Sequence, residues 1–310
     1  MTDARPLNQH TTSDAGLDPR SLVGVASDLC RLPAVATQDW AELAAGALTG
    51  VDDACRVGVL ITDMDDAGHL RTVDSASVSV SDLEARRSQD PKKLANAARI
   101  RLERLSHLGL ALPPESIARG LAAHADELGD WRSGPLSRVW EPHNIESLLV
   151  VTAPVGAADG AEPDPARSTR RTLVGFIALA QGSANATRPG PRTLGALLPL
   201  LAERATLAMP ADQEIGWLTD REQDVLDRLT LGRSVREIAE DLERSPHTVH
   251  DHVKSLHRKL SASSRGELVA RALGHNPVPP ARLDPVIIGR VRASTLIEPS
   301  PGLARRVPAS

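Results

Sequence analysis

The sequence predicts an α+β domain, an antiparallel sheet flanked by helices, followed by a small all-α domain of four helices. Three observations carry this reading. Four helix starts with capping residues crowd into the segment Leu218–Leu273. Two long apolar runs with strand character, Ile145–Val155 and Thr172–Gln181, are separated by a polar loop. A further run, Cys55–Thr62, is followed by the alternating Leu70–Val80, which is the pattern of two paired strands.

Taken in order, residues 1–17 are polar and read as a disordered segment. Residues 18–209 read as one α+β domain of order α-α-β-β-α-α-β-β-β-α. Its first helices are Arg20–Leu32 and Gln38–Leu48, the second carrying Trp40, Leu43, Ala44 and Leu48 at helical spacing. The strands Cys55–Thr62 and Leu70–Val80 come next. Leu94–Leu108 is amphipathic and Pro114–Leu128 reads as another helix. Leu136–Trp140 reads as a short strand, ahead of the strands Ile145–Val155 and Thr172–Gln181. Pro191–Met209 closes the domain as a helix with Leu194, Leu197, Leu198, Leu201 and Ala205 along one side. That stripe is wider than a lone surface helix needs and reads as a self-association surface. Residues 210–217 form a linker and 218–274 the helical domain. Residues 275–310, with seven prolines, read as a flexible tail.

Within residues 218–274 each helix announces its own start. Thr219 with Glu222, Ser234 with Glu237 and Ser264 with Glu267 have the spacing of capping boxes, in which each residue's side chain satisfies a free backbone N–H near the other. Ser245 followed by Pro246 pairs a cap with a proline at the first helical position. Only Leu242–Ser245 separates the second helix from the third, a helix-turn-helix arrangement. In the third helix, Val249, Val253, Leu256 and Leu260 fall on one stripe, and His247, Asp251, Lys254 and Arg258 lie opposite.

The segment resembles the LuxR/FixJ-type DNA-binding domain, in which a four-helix unit presents its third helix to the major groove. The resemblance is carried by Leu218, Thr219, Arg221, Glu222, Val225, Leu226, Gly232, Glu237, Ile238, Ala239, Leu242, Ser245, Thr248, Val249, His252, Lys259, Leu260, Arg265, Glu267, Leu268 and Val269, and covers roughly a fifth of the chain. It places the base-reading positions at His250, Asp251 and Lys254. The geometry of the helix points to the same three, since insertion of its N-terminal half puts them nearest base edges. Lys donates to guanine, Asp accepts from cytosine N4, and His does either. Ser245, Thr248, Lys259 and Arg265 are the expected phosphate contacts, which position without specifying. The N-terminal pattern resembles a GAF sensor domain, chiefly in HNIESLLVVTAPV followed by LVGFIALAQ and a closing helix. No cysteine stands where a bilin attaches, and aromatics for stacking a cyclic nucleotide are few. Its ligand is left open, as is a role in dimerisation alone.

Charge agrees with this arrangement once it is placed. Residues 219–243 hold four arginines against eight acidic residues, and residues 244–274 hold six basic residues against two acidic ones. The positive half is the one that carries the third helix, and counterion release needs only such a local face.

Other classes fit less well. A two-component receiver would use Asp63, Asp65 or Asp66 after a strand. No lysine lies between Lys93 and Lys254, however, and a receiver needs one late in the domain. For an enzyme there is no glycine-rich nucleotide loop, nucleophile elbow or paired Cys/His site. Cys30 and Cys55 make no disulfide framework or metal motif, and His247, His250, His252 and His257 do not share one face. No cofactor or metal is therefore expected. The N-terminus has no basic and apolar leader, and Leu173–Ala180 and Leu194–Ala202 are too short to cross a membrane. The expectation is a cytoplasmic, non-enzymatic transcriptional regulator. Its partners are double-stranded DNA, RNA polymerase and a second copy of itself, with no membrane. The homodimer contact is expected from Arg265–Leu273, from Leu194–Ala205, or from both.

Overall fold

The computed structural model describes residues 19–65, 67–140, 145–156, 169–180, 189–210, 215–275 and 287–288. The chain begins with helices α1 (Pro19–Cys30) and α2 (Trp40–Leu48) and a single 3₁₀ turn at Thr49–Val51. A hairpin follows, β1 (Cys55–Asp65) and β2 (Leu70–Val80). Then come α3 (Asp82–Arg87), α4 (Pro91–Glu103), α5 (Pro114–Arg119), β3 (Leu121–His124), α6 (Ala125–Leu128) and α7 (Pro135–Trp140). Strands β4 (Ile145–Pro154) and β5 (Thr169–Ala180) and helix α8 (Pro191–Ala208) complete the α+β part. The helical part is α9 (Asp220–Thr230), α10 (Val235–Asp241), α11 (Pro246–Lys259) and α12 (Arg265–Ala272).

The five strands lie in the order β2-β1-β5-β4-β3, every neighbouring pair antiparallel. A two-residue strand, β6 (Ile287–Ile288), pairs in parallel with the outer edge of β3. It falls within the segment read as a tail. Residues 1–17, and residues 276–286 and 289–310 of that tail, lie outside the described residues.

Both faces of the sheet are covered, and alternation along β1 shows how. Cys55, Val57, Val59 and Ile61 join one core with α1, α2 and α8. Leu60 and Met64 join the other, with residues of α4, α5 and α7. The second core is tight over Gly58, where a Cβ would sit 3.0 Å from Leu102 Cδ1 and 3.1 Å from Trp140 Cη2.

Three expectations need correction. Pro114–Leu128 is not one helix. It turns at Gly120, which adopts φ +90°, and Leu121–His124 then forms edge strand β3, paired with Leu149–Thr152 of β4. The run Leu121-Ala122-Ala123 has helical propensity, but the unpaired edge of β4 claims it. Leu136–Trp140 belongs to helix α7 rather than a strand; Leu136, Val139 and Trp140, at i, i+3 and i+4, all point into the second core. Finally, Leu194, Leu197, Leu198, Leu201 and Ala205 are each at most 3% exposed within the first core. The wide stripe of α8 exists because this helix lies across a sheet, so it is not a surface for a second chain.

Candidate nucleic-acid interface

The helical module is assembled from its caps inward. Thr219 and Glu222 form a reciprocal capping box at α9, and Ser234 and Glu237 another at α10. Ser245 Oγ accepts from the Thr248 N–H at 3.1 Å and starts α11. At α12 the reading was right for one half only. Ser264 Oγ accepts from the Glu267 N–H, but the Glu267 carboxylate reaches one residue further back, to the N–H and hydroxyl of Ser263. The turn between α10 and α11 is closed by Arg244 N–H donating to the Ala239 carbonyl, with Glu243 in the left-handed region at φ +53°.

Helix α11 seats on α9 and α10 through Val249 and Leu256, both at most 1% exposed, with Val253 and Leu260 half-buried beside them. The opposite side faces solvent: His247, His250, Asp251, Lys254 and Arg258 are all exposed. The three residues expected to read bases thus lie along one open face. Asp251 is the hub of that face, with Oδ1 3.5 Å from Lys254 Nζ and Oδ2 3.6 Å from His247 Nε2. His257 is turned elsewhere and its Nδ1 lies 2.8 Å from the Ala262 carbonyl, closing the end of the helix. His252 is half-buried.

The expected phosphate contacts divide. Ser245 and Thr248 are exposed at the start of α11, their hydroxyl oxygens 2.9 Å apart, so one hydroxyl hydrogen of the pair stays available to a phosphate oxygen. Arg265 is exposed at the start of α12 and donates one N–H to the Arg233 carbonyl at 2.6 Å. Lys259 differs. Its Nζ lies 2.7 Å from Glu222 Oε2 and 2.6 Å from the Trp217 carbonyl oxygen, and its side chain is 23% exposed. Two of the three ammonium N–H groups are thus engaged inside the module, where Glu222 is a nearly buried carboxylate in need of a cation. Glu222 also accepts from Ser255 Oγ at 2.7 Å.

Sequence reasoning found Glu222 only as a capping residue. Its partners at positions 255 and 259 lie more than thirty residues away, and no local pattern announces such a contact. It missed Val35 altogether. This residue belongs to the N-terminal part of the chain, yet is 4% exposed in the core of the helical module.

Two acidic residues of the hairpin are held in local hydrogen bonds. Asp65 accepts from the backbone N–H groups of Ala67 and His69 and from Arg71 Nη2, and the bond from the His69 backbone foremost among these lowers its pKa to about 2. Asp63 accepts from Thr72 Oγ1. Asp66 lies outside the described residues. Among the described residues no helix is long and apolar enough to cross a membrane.

Residues 217–272 match the model of the family described as bacterial regulatory proteins, luxR family. The chain is 36% identical over 83 residues to the probable transcriptional regulatory protein NarL of Mycobacterium tuberculosis, covering 27% of this chain and 36% of that protein. It is 46% identical over 54 residues to the transcriptional regulatory protein UhpA of Escherichia coli, covering 17% and 28% respectively. The chain therefore spans only about a third of the length of these relatives. Among solved structures, Escherichia coli SdiA is 18% identical with a TM-score of 0.28, covering 82% of this chain and 96% of that one. The Vibrio cholerae VqmA dimer is 15% identical with a TM-score of 0.19, covering 72% and 86%. The capped four-helix geometry and the family match coincide on the same residues: the helical module is a helix-turn-helix domain of the luxR family of bacterial regulatory proteins.

Proposed function

We propose that the chain is a sequence-specific DNA-binding transcriptional regulator whose helix α11 enters the major groove. The observation that carries this is the two-sidedness of α11. Val249 and Leu256 anchor it, while His250, Asp251 and Lys254 stand together on the exposed side. A helix clamped on one face and polar on the other fits the width of the major groove. His250, Asp251 and Lys254 face base edges in this reading. Ser245, Thr248 and Arg265 hold phosphates, and Lys259 positions the helix from behind.

The family match and the two relatives, both transcriptional regulatory proteins by name, support the same reading. Control by the N-terminal domain, action on RNA polymerase in the cytoplasm and binding as a homodimer through α12 belong to this proposal. The receiver alternative loses ground to the hairpin, where Asp63 and Asp65 are held in hydrogen bonds of the β1–β2 turn region. Selection of bound duplexes from a randomised DNA pool by the purified full chain tests the reading. An enriched motif in two half-sites is the expected result, and recovery of sequences no different from the input pool would defeat it.

A further inference from the structure

Two short segments lie between the N-terminal domain and the helix-turn-helix module, and each places side chains in both cores. In the first, residues 32–37, Leu32 and Ala36 belong to the core formed by α1, α2 and α8, whereas Val35 belongs to the core of the module. In the second, residues 215–218, Ile215 and Trp217 pack against the N-terminal core and Leu218 lies in the module's core. Successive residues of an extended chain point to opposite sides, which lets residues 215–218 serve two cores at once. The first segment does so by bending at Ala34 and Val35, which turns Val35 away from Leu32 and Ala36. The segments are joined to each other. The Leu218 N–H donates to the Ala36 carbonyl at 2.7 Å, and Thr37 and Leu218 form a parallel bridge.

Each end of this ribbon is gripped by its own domain. On the N-terminal side, Trp40 Nε1 donates to the Pro33 carbonyl at 3.0 Å and Arg204 Nε to the Leu32 carbonyl at 2.9 Å. Trp40 is fully buried. On the module side, Lys259, the last residue of α11, donates to the Trp217 carbonyl. The approach there is close, since a Cβ on Gly216 would meet the Lys259 carbonyl oxygen at 2.7 Å. The exposed face of α11 takes no part in these contacts.

We infer that this ribbon is the element through which the N-terminal domain acts on the DNA-binding module, and that it works by holding the module's core and the C-terminal end of α11 rather than by covering the reading face. A change in the packing around Trp40 moves residues 33–37. Val35 and Leu218 then move within the module's core, and Trp217 and Lys259 carry the shift to α11. A coupling of this kind needs an element whose arrangement both domains bias, and the ribbon is built from residues of both cores. The link to DNA affinity rests on the DNA-binding reading above; the mechanical link does not.

The test is hydrogen exchange on the full chain, comparing wild type with Val35→Ala and Trp40→Phe. Val35→Ala removes two buried methyl groups from the module's core, and amides of α9–α11 should exchange roughly tenfold faster while those of β1 and β5 are unchanged. Trp40→Phe deletes the indole N–H that holds Pro33, at a residue of the N-terminal core and not of the module's core. It should also speed exchange in α9–α11, by several-fold. If Val35→Ala leaves the module's amides as in wild type, Val35 does not complete that core and the inference fails. If Trp40→Phe is felt only within residues 19–210, the ribbon transmits nothing and the inference fails as well. Binding of the same variants to the selected duplex, measured in parallel, separates this from the DNA reading. Loss of the exchange effect refutes the ribbon, whereas absence of any binding by wild type refutes only the DNA reading.

Discussion

Lys259 Nζ and Glu222 Oε2 lie 2.7 Å apart at the back of the helix-turn-helix module, joining the end of α11 to the first turn of α9. Burial alone would raise the pKa of the Glu222 carboxyl, but hydrogen bonds from Lys259, Ser255 and Thr219 outweigh it and bring it down to about 2. A folded-state pKa below the ordinary 4.5 means that ionised Glu222 stabilises the fold. That contribution is complete above about pH 4.5 and disappears as pH falls from there toward 2.

The first prediction concerns Glu222→Gln. The variant should be less stable than wild type by about 1–2 kcal/mol at pH 7, after allowing for solvent screening at the rim of the site. The gap should narrow between pH 4.5 and pH 2.5, because over that range the carboxyl of unfolded wild type takes up a proton while the folded one stays ionised, which favours unfolding of wild type alone. Denaturant titrations of both proteins at pH 7 and pH 3 measure it. An equal gap at both pH values would mean that shape, and not charge, sets the role of Glu222.

The second prediction separates a structural cation from a phosphate contact. Lys259→Met should destabilise the module by about 2–3 kcal/mol, since it leaves a nearly buried carboxylate without its cation. The dependence of DNA affinity on salt should not change. Arg265→Ala should do the reverse: stability stays close to wild type, and the slope of log K against log salt falls by about 0.9. Binding isotherms over a series of salt concentrations, at a temperature where both variants are folded, decide between them. A slope lowered by about one for Lys259→Met would restore that residue to the phosphate contacts.

How much of this was legible in the sequence depends on the range of each interaction. The caps at Thr219, Ser234 and Ser245 were readable because a cap and its partner lie three residues apart. The stripe Val249–Leu256 and the exposed Asp251 and Lys254 were readable because helical periodicity alone sorts them. Strands β1, β4 and β5 announced themselves through apolar runs, and β2 through its alternation. What failed was set from far away. Leu121–His124 became a strand because the edge of β4 was open, and Leu136–Trp140 was too short for its helical period to show. Lys259 looked like a surface cation because Glu222 stands 37 positions earlier. Val35 reaches the module from the far end of the chain, and neither neighbouring residue hints at it.

The third prediction follows from the corrected role of α8. Leu201 is 2% exposed and packs in the core between α8, the sheet and α1. Leu201→Ala should cost about 2–5 kcal/mol of stability through the cavity it leaves. The sedimentation coefficient of the folded protein should remain that of wild type, because the leucine stripe is already covered within the chain. A drop in assembled mass without a drop in stability would instead return α8 to the list of association surfaces.

The last prediction concerns Asp251, the one acidic residue on the exposed face of α11. Its carboxylate lies within 3.6 Å of both Lys254 Nζ and His247 Nε2. These pairs are open to solvent, with side-chain exposures of 55% for Asp251, 64% for Lys254 and 84% for His247, so they add only a few tenths of a kcal/mol to the fold. Asp251→Ala should therefore melt close to wild type. In the groove the balance is different. A carboxylate there is repelled by phosphate oxygens and is satisfied only by a base edge that donates, such as cytosine N4. Removing it should raise affinity for unrelated duplexes and blur one position of the selected site, with a loss of about 1–3 kcal/mol of discrimination there. Wild type and variant are compared on one randomised library at one salt concentration, since the non-specific term depends on salt. Matching base preferences at every position would show that Asp251 only tethers its two neighbours on the helix surface and never meets a base.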